Sequence, residues 1–369
     1  MLNTEDMSAL MIACARAGLD PNKNFSYGNQ KYTFEKLHKT LTEQFAQLEG
    51  KNAHQKLRQN MSFVSNVIEN TVDAILPEMI LSRYGDIAEY KNLKQNETAK
   101  FDTKITAASR RRAKKFIGKV GVNGLQEVFR VEGSSYEIAT NAIGGAYRVQ
   151  LEELLDGTVD PAELLNLLLE GMDEAIFLEI AKQLDWGASV LKAATSAGRL
   201  NNYKEGNGFE KVVMDDLLSV ADSYGGDSSI YCTQEFARTI IPENNMLSNE
   251  HKNDLWKNGF FSLYGTHKII AVKNSLIDET NRIKVLDPSM ALIVPGDKKP
   301  VKIATEGDTI MKELQGADYS TEFHIYKKVG VGCEFTPDVC IYKNTALKRT
   351  FDDYSRYGNT DNDLSTFNE

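Results

Sequence analysis

Five histidines, His38, His54, His251, His267 and His324, are the first residues to weigh for chemistry. A zinc site or a general base needs a partner at fixed spacing, as in H-E-x-x-H, and none of the five has one. They read as surface or internally satisfied side chains. Gly118, Gly121 and Gly124 lie three residues apart, which is not the G-x-G-x-x-G spacing, and no buried strand leads into them. Loop flexibility explains them better than a phosphate cradle. Glu152, Glu153 and Asp156 form a small carboxylate group, but just ahead of a helix they serve its N-terminal dipole. Walker, nucleophile-elbow and EF-hand patterns are absent. Cys14, Cys232, Cys333 and Cys340 are scattered without zinc-ligand spacing and read as reduced thiols. The expectation is therefore no catalytic residue, no metal and no cofactor.

The densest chemistry in the chain is charge. Arg110, Arg111, Arg112, Lys114, Lys115 and Lys119 put six basic residues into ten positions. Such a run would pair with acidic residues of an adjacent subunit, fixing register and partner choice more than affinity. A solvated charge run is the plain alternative. Direct DNA binding ranks behind both, because few aromatic residues interleave with the cations. The whole chain carries 52 Asp plus Glu against 43 Lys plus Arg, a net charge of −9. That balance supplies acidic partners and argues against nucleic-acid binding as the main task.

These residues need elements to position them. Asp160 to Gly187 reads as one long helix. Asp160 caps it, Pro161 opens it, Glu163 completes a capping box and Gly187 ends it. Leu165, Leu168, Leu169, Met172, Ile176 and Ile180 make its apolar stripe, with Glu163, Glu170, Asp173, Glu174 and Asp185 opposite. Before it come helical segments at 7–18, 34–50 and 62–80, the last ended or kinked by Pro77. From Ile87 a polar, extended stretch begins, and the basic run and its glycines follow. A long, weakly hydrophobic excursion of this kind suggests a hairpin reaching for a partner. After the long helix, residues 189–208 read as a glycine-rich connection, and helices and strands then mix without βαβ alternation. The fold class is α+β. No apolar run reaches the roughly 18 residues of a membrane span, and MLNTEDMSAL lacks a signal-peptide pattern.

Three stretches in this order carry a family resemblance. SSYEIATNAIGGAYRVQLEELLDGTVDPAELLNLLLEGMDEAIFLEIAKQL, from Ser134 to Leu184, is similar to the passage from extended loop to spine helix in tailed-phage major capsid proteins. Its turn is Glu153-Leu154-Leu155-Asp156. GFFSLYGTHKIIAVKNSL resembles the axial-domain pattern of that family, and KKVGVGCEFTPDVCIYKN its closing strand. The chain thus resembles the Hong Kong ninety-seven type shell fold, which encapsulins share.

The resemblance implies an N-terminal helical arm at 1–80 and an extended loop at 81–130. It implies a peripheral domain at 131–206 with its spine helix at 161–186, an axial domain at 207–320, and returning strands with a tail at 321–369. Phe177, on the polar side of the helix, would touch a neighbour, and Trp256, Phe260 and Phe261 would anchor ring contacts or pack locally. The implied partners are many copies of the chain in hexamers and pentamers, a separate scaffold or none, a portal, decoration proteins and weakly held DNA. Lys91, Lys94, Lys100 and Lys104 are in principle available for covalent cross-links of the kind some relatives form, but the sequence does not place the carboxamide partner and catalytic acid that such a link needs, and the expectation is that none forms. Its place would be the virion, after assembly in the host bacterial cytoplasm. An encapsulin-like compartment is the first alternative, and a soluble α+β enzyme with an unrecognised site the second.

Overall fold

The computed structural model describes residues 4–19, 25–27, 30–32, 53–103, 134–149, 161–225, 227–240, 255, 257–277, 282–296, 298–315 and 321–350. The chain divides into two compact units. The first comprises Met1–Phe101, Glu137–Phe177 and Val301–Gly332, and the second Asp102–Tyr136, Leu178–Pro300 and Cys333–Glu369. Helices and strands are mixed throughout, as the α+β reading expects.

In the first unit, helix α1 (Thr4–Leu19) lies against helix α2 (Ala53–Tyr84). Met7, Leu10, Met11 and Cys14 recur at helical spacing and are buried. Outside that face, the Arg16 guanidinium donates through Nε to Glu78 at 2.9 Å. Helix α2 continues past Pro77. The proline removes a backbone bond, at a cost of about 3 kcal/mol. Val72, Ile75 and Leu76 before it, with Met79 and Ile80 after it, are all buried, and each contributes about 1.5–3 kcal/mol. Packing on both sides outweighs the break. Strands β3 (Ala88–Leu93), β12 (Val301–Gln315), β13 (Thr321–Cys333) and β6 (Asn141–Val149) make the adjacent sheet. Their order across it is β3-β12-β13-β6. β12 runs parallel to β3, pairing Val301 with Ala88 and Glu306 with Leu93. β13 and β6 are antiparallel, pairing Val329 with Asn141 and Thr321 with Val149. Short ribbons β1 (Phe25–Tyr27) with β2 (Gln30–Tyr32), and β4 (Ala99–Thr103) with β5 (Ser134–Ile138), complete the small sheets.

Helix α3 spans Pro161–Ser196, 36 residues and about 54 Å. Pro161 is its first residue, as expected, while Asp160 lies outside the described residues. Leu165, Leu169, Met172, Ile176 and Ile180 are buried. Leu168 Cδ1 stands 3.8 Å from where a Cβ of Gly145 on β6 would be. The C-terminus lies further along than the sequence suggests: Gly187 does not end the helix, which continues to Ser196. Gly187 is instead a close-approach residue, with the Phe335 ring in the space a Cβ would take. The left-handed residue is Gly198, at φ +68°. Its N–H donates to Thr195 O at 2.9 Å, and that of Arg199 to Ala194 O at 3.0 Å, a Schellman closure. The connection expected at 189–208 thus begins as helix, through Ser196, and ends with a short strand at Tyr203–Gly206. Gly171 faces open space. Gly171→Ala is expected to stabilise the protein by about 0.5–1 kcal/mol in denaturant unfolding, since it lowers backbone entropy in the unfolded chain.

The second unit is built on a six-stranded sheet. Its strands are β7 (Tyr203–Gly206), β8 (Ser228–Thr233), β9 (Leu263–Tyr264), β10 (His267–Val272), β11 (Met290–Pro295) and β14 (Cys340–Asn344). Their order is β7-β14-β11-β8-β10-β9. β11 lies centrally, and Ala291, Leu292, Ile293 and Val294 are all buried. Helix α4 (Lys211–Asp222) packs Met214, Leu217, Leu218 and Ala221 into the same core. The short helix α5 (Gln234–Ala237) follows β8, and Thr233 Oγ1 caps it by accepting from Phe236 N–H at 3.3 Å. Tyr342 is buried, donating to Gly208 O at 2.6 Å and accepting from Glu210 N–H at 3.0 Å.

Two expected boundaries move. Residue 80 falls inside α2, and β3 belongs to the sheet rather than to the excursion. The 207–320 stretch is divided at Pro300, because β12 pairs with β3. The late run expected to return together also divides: β13 stays with β12, while β14 inserts between β7 and β11.

Candidate functional site

The excursion leaves the first unit after β3 and returns before β6, and one carboxylate holds both ends. Glu306 sits where β12 stops pairing with β3, beside Gly307 at φ +66°. Its Oε1 accepts from Asn96 N–H at 2.9 Å and from Lys328 Nζ at 3.0 Å. Its Oε2 accepts from the Thr140 hydroxyl. Asn96, at φ +64°, adopts the left-handed turn that asparagine tolerates and places its N–H on Glu306. Bonds from Thr140, Lys328 and Asn96 hold the Glu306 carboxyl down at about 2, from an ordinary 4.5. A depressed carboxylate stabilises the fold above its ordinary value and loses that contribution as pH falls. The ends of the excursion are therefore expected to loosen between pH 4.5 and 2, seen as a lower protection of the Asn96 amide relative to its intrinsic exchange rate at each pH.

Beneath this clamp lies a second one. Asp73 of α2 accepts from Thr309 N–H at 3.1 Å, Thr309 Oγ1 at 2.6 Å and Lys327 Nζ at 2.6 Å. The Lys327 side chain is only 5% exposed. It also donates to Gly307 O. Phe101 of β4 lies beneath two cations, Lys91 Nζ at 4.3 Å and Lys302 Nζ at 5.8 Å from its ring centre. Lys91 also donates to Lys100 O at 2.6 Å. Sequence reasoning missed Glu306, Asp73 and Lys327. A glutamate–glycine step within a strand, Glu306-Gly307, is the available signal.

The residues singled out from sequence fare differently. Arg110, Arg111, Arg112, Lys114, Lys115, Lys119 and Trp256 lie outside the described residues, as does the turn Glu153-Leu154-Leu155-Asp156. Phe177 is not available to a neighbour: it is 1% exposed. Its ring stacks on Tyr84 at 6.1 Å and lies under the Arg83 guanidinium at 5.0 Å. Asp173, expected on the polar face, is buried and ion-paired with Arg83. Asp173 and Phe177 stand one turn apart, so the last turn of α2 covers them together. Asp185 is likewise engaged, by Arg349 Nη1 at 2.8 Å, and burial raises its carboxyl despite that partner. Phe260 packs against the second unit's core and Phe261 lies inside it, which is local packing. The exposed aromatic of the long helix is Trp186, with Val190 one turn on.

One constellation looks catalytic by type. His267 Nδ1 is 3.1 Å from Ser228 Oγ, and its Nε2 is 3.7 Å from Asp222 Oδ2. Ser228 gives its hydroxyl proton to Asp222 Oδ1 at 2.7 Å and its N–H to the same atom at 3.2 Å. Ser228 is 1% exposed. A nucleophile needs its proton directed to a base and its oxygen open to substrate. This geometry ties the end of α4 to β8 and β10 instead. Among the described residues no three His, Cys, Asp or Glu side chains gather to hold a metal ion. No described helix is long and apolar enough to cross a membrane.

The profile of one protein family matches residues 8–335, under the description "SPbeta prophage-derived putative capsid protein YonB". The chain belongs to this family of phage capsid proteins. The match spans the first two of the stretches that carried the resemblance and the start of the third, to Phe335, and bears the resemblance out. Solved structures similar to the YonB-family chain have little sequence in common with it. One is the head of Helicobacter pylori bacteriophage KHP40, with 12% identity and a TM-score of 0.47, covering 72% of this chain and 91% of that one. A Microbacterium phage Oxtober96 chain has 13% identity and a TM-score of 0.42, covering 69% and 89%. The virus-like particle from Pyrococcus furiosus has 11% identity and a TM-score of 0.38, covering 73% and 96%. No curated protein matches the chain.

Proposed function

We propose that this chain is the major capsid subunit of a tailed bacteriophage, and that many copies, as hexamers and pentamers, close into an icosahedral shell around double-stranded DNA. The observation that carries this reading is the family match across residues 8–335. Its role is structural, without catalysis. We assign the helices up to Tyr84 to an arm and the segment beyond β3 to the extended loop. Arg110, Arg111, Arg112, Lys114, Lys115 and Lys119 would meet acidic residues of an adjacent copy. Scaffold, portal and decoration proteins would be separate chains, and the mature location the virion after assembly in the host cytoplasm. A net charge of −9 would keep packaged DNA weakly held.

The test is the size of the purified chain, by light scattering and negative-stain microscopy, with and without its phage's scaffold. Shells, tubes or rings of five and six are expected. A monomer or dimer under every condition would overturn the reading. Exchanging the six basic residues for glutamate is expected to stop closure while the unassembled chain keeps its melting temperature.

A further inference from the structure

In the second unit the exposed face of α3 carries an apolar line. Trp186 is 59% exposed and Val190 43% exposed, and Ala193 is exposed as well. Spacings of four and three residues put all three on one stripe of the helix. A single exposed apolar side chain needs no explanation, whereas a contiguous line of them marks a contact surface. The described residues end beside this stripe. Arg349 Nη1 donates to Asp185 Oδ2 at 2.8 Å, on the residue before Trp186. Its Nε donates to Lys284 O at 2.9 Å, and its Nη2 to Val285 O. Lys284 N–H donates back to Arg349 O at 3.2 Å, and Thr350 bridges Ile283. The Arg349 side chain is only 9% exposed. These contacts fix, against the flank of α3, the point from which the rest of the chain departs.

We propose that the chain's own segment 351–369 turns back along α3 and covers Trp186, Val190 and Ala193 with its aromatic side chains. This segment lies outside the described residues. It supplies Phe351, Tyr354 and Tyr357 at every third position, directly after the anchored Arg349 and Thr350. An extended chain advances about 3.5 Å per residue, so Tyr357 can reach as far as about 28 Å from Arg349. From Asp185 to Ala193 the helix rises only about 12 Å. Every member of the stripe is therefore within reach. The tether sets the occupant. A segment fixed one residue from Trp186 meets it at an effective concentration of roughly millimolar order, ahead of a second copy in solution. Tyrosine suits such a surface, because its ring packs on the apolar line while its hydroxyl stays in water. Asp352 and Asp353, between the first two aromatics, face solvent in this arrangement.

Trp186 itself reports the contact once Trp256, the other tryptophan, is changed to phenylalanine. In the unassembled Trp256→Phe chain its emission is expected to be blue-shifted and weakly quenched by acrylamide. Ending that chain at Thr350 is expected to shift the emission to the red and raise the quenching to that of an exposed indole. Phe351→Ser with Tyr354→Ser and Tyr357→Ser in the 369-residue chain should do the same. This second variant carries the test if the shortened chain does not fold, as judged by circular dichroism. Equal quenching with and without the segment would overturn the proposal. Shielding that appears only in assembled particles, and persists in the shortened chain, would assign the stripe to a second copy and overturn it too. The readout is taken before assembly, so it stands or falls separately from the shell reading.

Discussion

Asp73→Ala is expected to lower the stability of the protein by about 3–5 kcal/mol, the scale at which a buried ion pair loses one member. The physical reason is what the aspartate leaves behind. Lys327 Nζ, on a side chain 5% exposed, would keep only the Gly307 carbonyl as an acceptor. The Thr309 amide and hydroxyl would lose their acceptor in the same step. Asp73 belongs to α2 and its three donors to β12 and β13, so the change acts where helix meets sheet. Denaturant unfolding monitored by circular dichroism measures the loss. Lys327→Met in the same background should recover much of it, because an apolar chain of similar length needs no counter-ion. A single variant within about 0.5 kcal/mol of the parent would mean that water replaces the aspartate without cost.

The second large effect has the opposite sign from helix propensity. Alanine normally stabilises a helix interior over glycine by about 1 kcal/mol. Gly187→Ala is nonetheless expected to destabilise by about 1–3 kcal/mol, because the new methyl must displace the Phe335 ring from the helix surface. A double-mutant cycle with Phe335→Ala identifies the cause. Against that background the Gly187→Ala change should become neutral or stabilising, giving a coupling of about 1–3 kcal/mol. Equal effects in both backgrounds would place the cost elsewhere. Gly171, on the exposed face of the same helix, provides the control.

These two glycines show where sequence reading works and where it stops. The stripe from Leu165 to Ile180 is legible because periodicity is a local property, and all of its members except Leu168 are buried. Gly187 misleads because a glycine required by an approaching ring looks, in sequence, like one required by a left-handed turn. The ring comes from Phe335, 148 positions away, which no local pattern reveals. Asp173 and Phe177 fail for a related reason. A helical wheel divides a helix into apolar and polar faces, whereas α2 adds a third environment through Arg83 and Tyr84. The order of parts is legible across the family match, while the domain boundaries are not, because β12 leaves one unit's sequence and joins the other's sheet. Glu306 and Asp73 are single acids in ordinary surroundings, and only their distant donors make them clamps.

The Glu306 clamp bears on how freely this chain can vary. Asn96 and Thr140 meet on one carboxylate, so the segment between them starts and finishes at a single fixed point. Lengthening a loop whose ends are already closed costs little, about 0.6 kcal/mol for each doubling. A change of chain length between Asn96 and Thr140 is thus expected to leave the packing of α2 against β12 as it is, because both fixed points stay on Glu306.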